Sequence, residues 1–406
     1  MKLIKTSGKE FSRLYNRNYT CSRKIANKVS RIIDDIKREG DKALIRYTRK
    51  FDKVKLKPKQ LKVSGREVNG AYQDVDPAFV NNLKVVIENV TKFYKRQLKK
   101  SWRIKDKEGV ILGEAIKPIE SVGIYVPSGT APLISTVYMT VLPAKVAGVE
   151  RVILVSPPNK YQTINGHILA VANLLGVKEI YKAGGAQAIA ALAFGTRTIP
   201  KVDKIVGPGN QYVTEAKRQV FGYVDIDMLA GPSEVVIIAS RDADPKLVAA
   251  DMTAQSEHIG GLSILIATSK SMVKVMKEFS GKGYIIKVKN LDEAIDIANR
   301  IAPEHLQLMV RNPGKILKKI KNAGAVFLGQ YSPAVIGDYV AGPSHVLPTG
   351  GTARFFSGLG IWDFLKGSHV ISYSKKALEN TIKDVERIAA LEELPKHIES
   401  VKERFK

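Results

Sequence analysis

The stretch VGIYVPSGTAPLISTVYMTVLPAKVAGVERVILV, residues 122–155, decides the fold. Two short apolar runs, VGIYV and RVILV, are separated by a turn and a segment of helical period. Parallel strands need a crossover of about a dozen residues or more, usually a helix, and strands covered on both faces read as continuous apolar runs. The stretch therefore reads as one βαβ unit. EIYKA at 179–183 and DKIVG at 203–207 continue it. After GPSEVVIIAS at 231–240 the alternation starts again, with SILIA, YIIKV, LQLMV and AVFLG as strands and helical segments between them.

The expected fold class is α/β, with two successive Rossmann-like βαβ units, a helical N-terminal region and a helical C-terminal tail. Upstream, Ser22 is a candidate N-cap for a stripe of Ile25, Val29, Ile32, Ile33 and Ile36 that Gly40 ends. Asp76 followed by Pro77 opens a second amphipathic helix. The stretch SWRIKDKEGVILGEAI, 101–116, is hairpin-like.

Composition excludes several classes. One cysteine, Cys21, permits neither an intrachain disulfide nor a multi-cysteine zinc site, and it fits a reducing compartment. The first residues lack the apolar core of a signal peptide, and no apolar stretch approaches the roughly 18 residues of a membrane span. A cytoplasmic setting is expected. The formal charge of +26 can mean phosphate binding or a lysine-rich solvated surface. The cations are dispersed along the chain without a block of five or six, which favours the surface reading.

Ligands of open α/β sheets bind outside the carboxyl ends of the strands, so the loops there are searched first. Gly207-Pro-Gly-Asn210 follows a strand and opens a helix, where backbone N–H groups can meet a phosphate. It lacks the third glycine of the dinucleotide fingerprint, and a tight turn explains it as well. Tyr125 and Gln187 stand at neighbouring strand ends, as ligand contacts or as core and helix-start residues. Gln255 and His258, three apart at a helix end, share a face and suit an ion with N/O ligands, or are satisfied structure. Asp338 and His345 lie in SPAVIGDYVAGPSHVLPTGG, 332–351, whose four glycines and three prolines read as an ordered loop. Glu392 and His397 lie in LEELPKH near the end of the chain. In IAPEHLQLM, 301–309, Pro303 disfavours helix before it, so Glu304 and His305 fall in a turn where adjacent side chains can reach one cavity.

Taken together, VGIYVPSGTAPL, GGAQAIAALAFGT, VDKIVGPGNQYVTEAKRQV, DMLAGPSEV, AQSEH, IAPEHL, GDYVAGPSHVLPTGGTARF and LEELPKH resemble the histidinol dehydrogenase family, in order over residues 122–397. Ser344 departs from the asparagine common at that position. The resemblance implies oxidation of L-histidinol through L-histidinaldehyde to L-histidine with two NAD+, in the final steps of histidine biosynthesis. It implies one zinc ion per subunit and a homodimer. Zinc ligands would be Gln255, His258, Asp338 and His397, the last from the partner subunit. Glu304 and His305 would be the catalytic pair, with His305 the base of both oxidations and Glu304 the activator of water. Ser233, His345 and Glu392 would join the zinc ligands and His305 in contacting substrate. Tyr125, Gln187 and Asn210 would contact NAD. The expected division is an arm at 1–20, a discontinuous catalytic α/β domain of 21–121 and 234–360, an NAD-binding domain of 122–233, and a tail of 361–406. A nucleic-acid-binding protein and a zinc hydrolase using Glu304 as base are the rival readings.

Overall fold

A computed structural model describes residues 1–17, 21–129, 131–279 and 281–406. Residues 18–20 of the expected arm and residue 130 of the VPSGTAP loop lie outside the described residues. The chain forms two compact units, 1–97 with 119–364 and 98–118 with 365–406.

The larger unit opens with strand β1 (Lys2–Ile4) and helix α1 (Lys9–Tyr15), so the arm is not wholly helical. Three residues are too few to show the period of a strand, and only pairing with a distant partner reveals it. Helices α2 (Arg23–Glu39), α3 (Asp41–Phe51), α4 (Gly65–Ala71) and α5 (Pro77–Lys95) follow. Ser22 and Asp76 cap α2 and α5 as expected, accepting from the N–H groups of Ile25 and Ala78.

Strands β2 (Trp102–Lys105) and β3 (Ile111–Pro118) belong to the smaller unit. The chain then builds β4 (Ser121–Tyr125), α6 (Ile134–Ala147), β5 (Arg151–Ser156), α7 (Gly166–Leu174), β6 (Glu179–Lys182), α8 (Gly185–Phe194), β7 (Lys204–Val206), α9 (Gln211–Val220) and β8 (Asp225–Ile226). These strands form one parallel sheet in the order β6-β5-β4-β7-β8. The order reverses between β4 and β7, where a doubly wound sheet leaves a crevice. Helix α8 is apolar on nearly every face and needs a cover besides the sheet. Val29, Ile32, Ile33 and Ile36 of α2 join the same core. The helical start therefore packs on the 122–233 segment, which differs from its expected grouping with 234–360.

A second parallel sheet has the order β1-β11-β10-β9-β12-β13. It is made by β9 (Glu234–Ala239), α10 (Pro245–Gln255), β10 (Leu262–Ala267), α11 (Lys270–Glu278), β11 (Tyr284–Lys287), α12 (Leu291–Ile301), β12 (His305–Met309), α13 (Pro313–Leu317) and β13 (Ala325–Leu328), with β1 on its edge. Here the reversal lies between β9 and β12. The 332–351 segment is not all loop, because α14 (Ala334–Tyr339) forms within it. Gly337 lets α14 approach the sheet: a Cβ there would lie 2.9 Å from the Phe327 ring.

In the smaller unit, β14 (Leu365–Ser372) runs antiparallel to β3, and β3 to β2. Helices α15 (Lys375–Leu391) and α16 (Pro395–Lys402) complete it. Residues 98–118 thus go with the C-terminal segment through strand pairing, and that segment is not purely helical. Among the described residues no helix is long and apolar enough to cross a membrane.

One buried ion pair supports the switch point of the first sheet. Lys217 of α9 meets Asp227, with side chains 3% and 0% exposed. Lys217 Nζ donates to the Gly207 carbonyl at 3.0 Å, and the Gly207 N–H donates to Asp227 Oδ2 at 2.7 Å. Removing one partner of a buried pair leaves an uncompensated charge, so Lys217→Met is expected to cost about 3–5 kcal/mol. Chemical denaturation measures it, and a loss below about 1 kcal/mol would show the pair to be dispensable.

Candidate active site

The expected nucleotide contacts gather at the carboxyl edge of the first sheet. Tyr125 ends β4, and its phenol oxygen accepts the Gly185 N–H at 3.1 Å. Burial pushes that phenol up to about 12. Gly207, after β7, has φ +119, and a Cβ there would lie 2.2 Å from the Tyr125 carbonyl oxygen. Only glycine lets the two strand ends close up this far. Gln187, in the first turn of α8, is 1% exposed, and neither its oxygen nor its nitrogen has a partner. A buried amide left unpaired costs about 1–3 kcal/mol, which suits a group that meets a polar ligand. Asn210 has a structural duty as well: its Oδ1 accepts from the N–H groups of Tyr212 and Val213 and caps α9.

The other expected residues meet at the second sheet, at its amino edge and not the carboxyl edge searched first. Ser233 precedes β9, His305 opens β12, and Gln255 ends α10, whose C-terminus necessarily returns to the amino ends of the strands. A small cavity there is lined by Val235, Asp251, Gln255, His258, His305 and Asp338, among others. Its volume of about 20 Å³ has room for one water molecule or ion. The search at the carboxyl edge misses this cavity because β9 and β12 contribute Val235 and His305 from their starts, and α10 brings Gln255 to the same edge.

Helix α10 stops at Gln255, earlier than expected, so His258 is not helical. Three successive turn bonds nonetheless continue the chain: Ser256 N–H to Thr253, Glu257 to Ala254 and His258 to Gln255, at 2.8–3.3 Å. Such i to i+3 bonding brings residues three apart onto one line, so Gln255 and His258 still converge. Gln255 Nε2 donates to Ser233 Oγ at 3.0 Å, which leaves the amide oxygen as the end suited to a cation.

Glu304 sits in the turn before β12, as expected, whereas His305 is already the first residue of the strand, and the two divide the space. His305 lines the cavity, whereas Glu304 lies behind it. His305 Nδ1 is 3.1 Å from the Glu234 carbonyl, which can only accept, so Nδ1 carries the proton. In the neutral ring Nε2 bears the lone pair; it is buried, has no hydrogen-bond partner, and lies 3.8 Å from Asp338 Oδ1. Burial lowers the imidazole pKa, but Glu304, whose Oε2 is 3.5 Å from Nδ1, and Asp338 outweigh it, and the net shift is upward. Burial also raises the Asp338 carboxyl, against the nearby histidines.

His345 stands beside Asp338 with both nitrogens engaged, Nδ1 with the Asp338 carbonyl at 3.0 Å and Nε2 with Thr136 Oγ1 at 3.3 Å. Burial pushes its pKa down. The Thr136 contact joins the two sheets, because Thr136 lies in the first turn of α6, just beyond β4. The Tyr138 hydroxyl donates to the Tyr339 carbonyl at 3.1 Å and strengthens that junction. Ser344 donates its N–H to the Tyr94 hydroxyl of α5 at 2.9 Å, so the departure from asparagine leaves the loop anchored through backbone.

Three of the four expected metal ligands thus share one cavity: an amide, an imidazole and a carboxylate, a donor set suited to a divalent zinc-like ion. They leave a tetrahedral site one ligand short. Consistently, no three His, Cys, Asp or Glu among the described residues form a metal group by themselves. Glu392 and His397 stand exposed on the smaller unit, in the turn after α15 and in α16 respectively. Cys21 is not among the cavity residues.

Sequence reasoning missed Asp251, Glu234, Gln307 and Arg17. Helical spacing could have found Asp251, four residues before Gln255 on α10. Strand alternation could have found Gln307, which shares the His305 face and donates to Asp251 at 2.6 Å. Nothing local marks Arg17, whose guanidinium reaches Glu234 across 217 positions. Burial lowers Arg17 to about 10, which leaves it charged at neutral pH.

The family model described as histidinol dehydrogenase matches residues 15–405. A histidinol dehydrogenase of Caldanaerobacter subterraneus is 50% identical over 97% of this chain and 96% of its own. That of Carboxydothermus hydrogenoformans is 47% identical over 100% and 99%. The crystal structure of the Elizabethkingia anophelis histidinol dehydrogenase superposes with a TM-score of 0.93 at 39% identity, covering 100% of this chain and 98% of that one. By these matches over nearly its whole length, the chain belongs to the histidinol dehydrogenase family.

Proposed function

We propose that this protein oxidises L-histidinol to L-histidine through L-histidinaldehyde, with NAD+ as acceptor in both steps, at the cavity between the two sheets. The observation that carries the reading is the bare His305 Nε2, buried and unpartnered, in a cavity beside Asp338, Gln255 and His258. The Thr136–His345 contact supports transfer between this cavity and the switch-point crevice, since it sets the cavity beside the carboxyl edge of the first sheet.

Gln255, His258 and Asp338 would hold a zinc ion, with the partner subunit's His397 as fourth ligand. Exposure of His397 and Glu392 in the single chain supports a homodimer in which each copy offers them to the other. When bound, NAD+ accepts a hydride in each oxidation and the ion orients the substrate's amino and imidazole nitrogens.

The residues do the proton work. His305 Nε2 takes the alcohol proton while Nδ1–H stays on the Glu234 carbonyl, so the ring keeps its orientation as it becomes charged. Glu304, on the Nδ1 side, stabilises that charge. His305 then releases that proton to solvent; in the second oxidation the aldehyde is hydrated, and Nε2, neutral again, takes a proton from the diol in the same way. Glu304 would activate the water once its carboxylate leaves the Glu234 N–H, which it accepts at 2.8 Å. Asp251, Asp338 and Glu304 make the site locally acidic on a chain of +26, which favours a cationic amino alcohol.

The first test is NADH absorbance on adding histidinol and NAD+; its absence in the metal-loaded protein would remove the reading. His305→Ala is expected to retain metal and substrate while losing about 10²–10⁴-fold in both hydride steps, the usual contribution of a general base. Full turnover in that variant would remove the base assignment. Asp338→Asn is expected to lose bound metal by elemental analysis, and unchanged zinc content would exclude it as a ligand.

A further inference from the structure

We propose that Arg17 is a positioning residue for the Glu304–His305 pair, acting through Glu234. This rests on the functional reading above, which uses Arg17 and the Glu234 side chain in no step. Arg17 lies just beyond α1, far from the site in sequence, with its side chain 18% exposed and that of Glu234 only 3%. One nitrogen of its guanidinium donates to Glu234 Oε2, and the other to the Ile301 carbonyl at 3.0 Å. These two acceptors lie on either side of the turn that delivers the catalytic pair.

The Glu234 carboxylate is fully used. Its Oε2 is held by Arg17, while its Oε1 accepts the N–H groups of Glu304 and Gly350, each at 3.2 Å. On the other side of the turn, Ile301 ends α12, and Ala302 takes a left-handed φ of +49, which a non-glycine residue adopts only when its surroundings enforce it. Arg17 thus supplies the countercharge to one buried carboxylate that lies beside a second, Glu304, and it clamps the helix end from which the turn departs. Without it the Glu234 carboxylate loses the partner that fixes its orientation, and with it the fixed acceptor of the Glu304 N–H. Lysine would restore the charge but, as a single point donor, not the fork that spans both acceptors.

The experiment compares Arg17→Gln, Arg17→Lys and the pair Arg17→Gln with Glu234→Gln in the full-length protein, with wild type in parallel. A small misplacement of catalytic groups can cost about a hundredfold, so Arg17→Gln is expected to lose about 10–100-fold in kcat. KM for histidinol and NAD+ should stay within about twofold, because neither is touched by Arg17. Amide exchange in the 301–309 peptide should accelerate. Arg17→Lys should fall between the two, at least about threefold below wild type, and the double variant should recover part of the rate by removing both charges. The inference is overturned by wild-type kcat in Arg17→Gln, by unchanged exchange of that peptide, or by a double variant no faster than the single one. It is equally overturned if the lost rate only mirrors a lost folded fraction. Should Arg17→Gln fail to fold, wild-type kcat in Arg17→Lys decides against it. Failure of wild type itself to reduce NAD+ with histidinol would count instead against the functional reading.

Discussion

The backbone N–H of Glu234 donates to the carboxylate of Glu304, and the N–H of Glu304 donates to the carboxylate of Glu234. This exchange pins the first residue of β9 to the turn before β12, and most of the site depends on it. The two strands are neighbours in the sheet, paired His305 to Val235, so the carbonyl of Glu234 is in place to orient the imidazole. Orientation of the ring fixes which nitrogen is bare. Two buried carboxylates so close would repel, and Arg17 supplies the compensating charge.

The second constraint is the meeting of opposite sheet edges. A nucleotide crevice at a switch point needs carboxyl ends of strands, because helix N-termini and their free N–H groups point there. Glu304 and His305 sit instead at amino ends, where helices finish and where the chain leaves α10 through Gln255 and His258. Sharing between two sheets resolves the conflict, since one presents its carboxyl edge and the other its amino edge. Thr136 on His345 and Tyr138 on the Tyr339 carbonyl mark where they join. The Tyr94 phenol braces the same loop, donating to the Leu359 carbonyl at 2.8 Å while accepting from Ser344.

Charge is distributed in the same spirit. The surface carries a large positive excess, dispersed over solvated helix faces, whereas the cavity gathers carboxylates. Burial works against each of them, and hydrogen bonds from the backbone, from Gln307 and from Arg17 make the arrangement tolerable.

Much of this was legible in the chain itself, because some signals are local. Apolar runs at strand length separated by helical segments fixed the parallel sheets; Ser22, Asp76 and Gly207 fixed caps and a turn; and Pro303 placed Glu304 outside regular structure, just before the strand that His305 opens. Each of these depends on a residue and its nearest neighbours. What the chain could not show were contacts whose partners are far apart: β1 joining an edge strand near residue 285, residues 111–118 pairing with 365–372, and Arg17 reaching Glu234. Nor could it show that the proton-transfer groups lie at the amino edge, because that depends on which way each helix returns to its sheet. Pairing and burial between distant segments are decided only when the whole chain closes on itself, and there the tertiary structure alone set which side chains share the cavity.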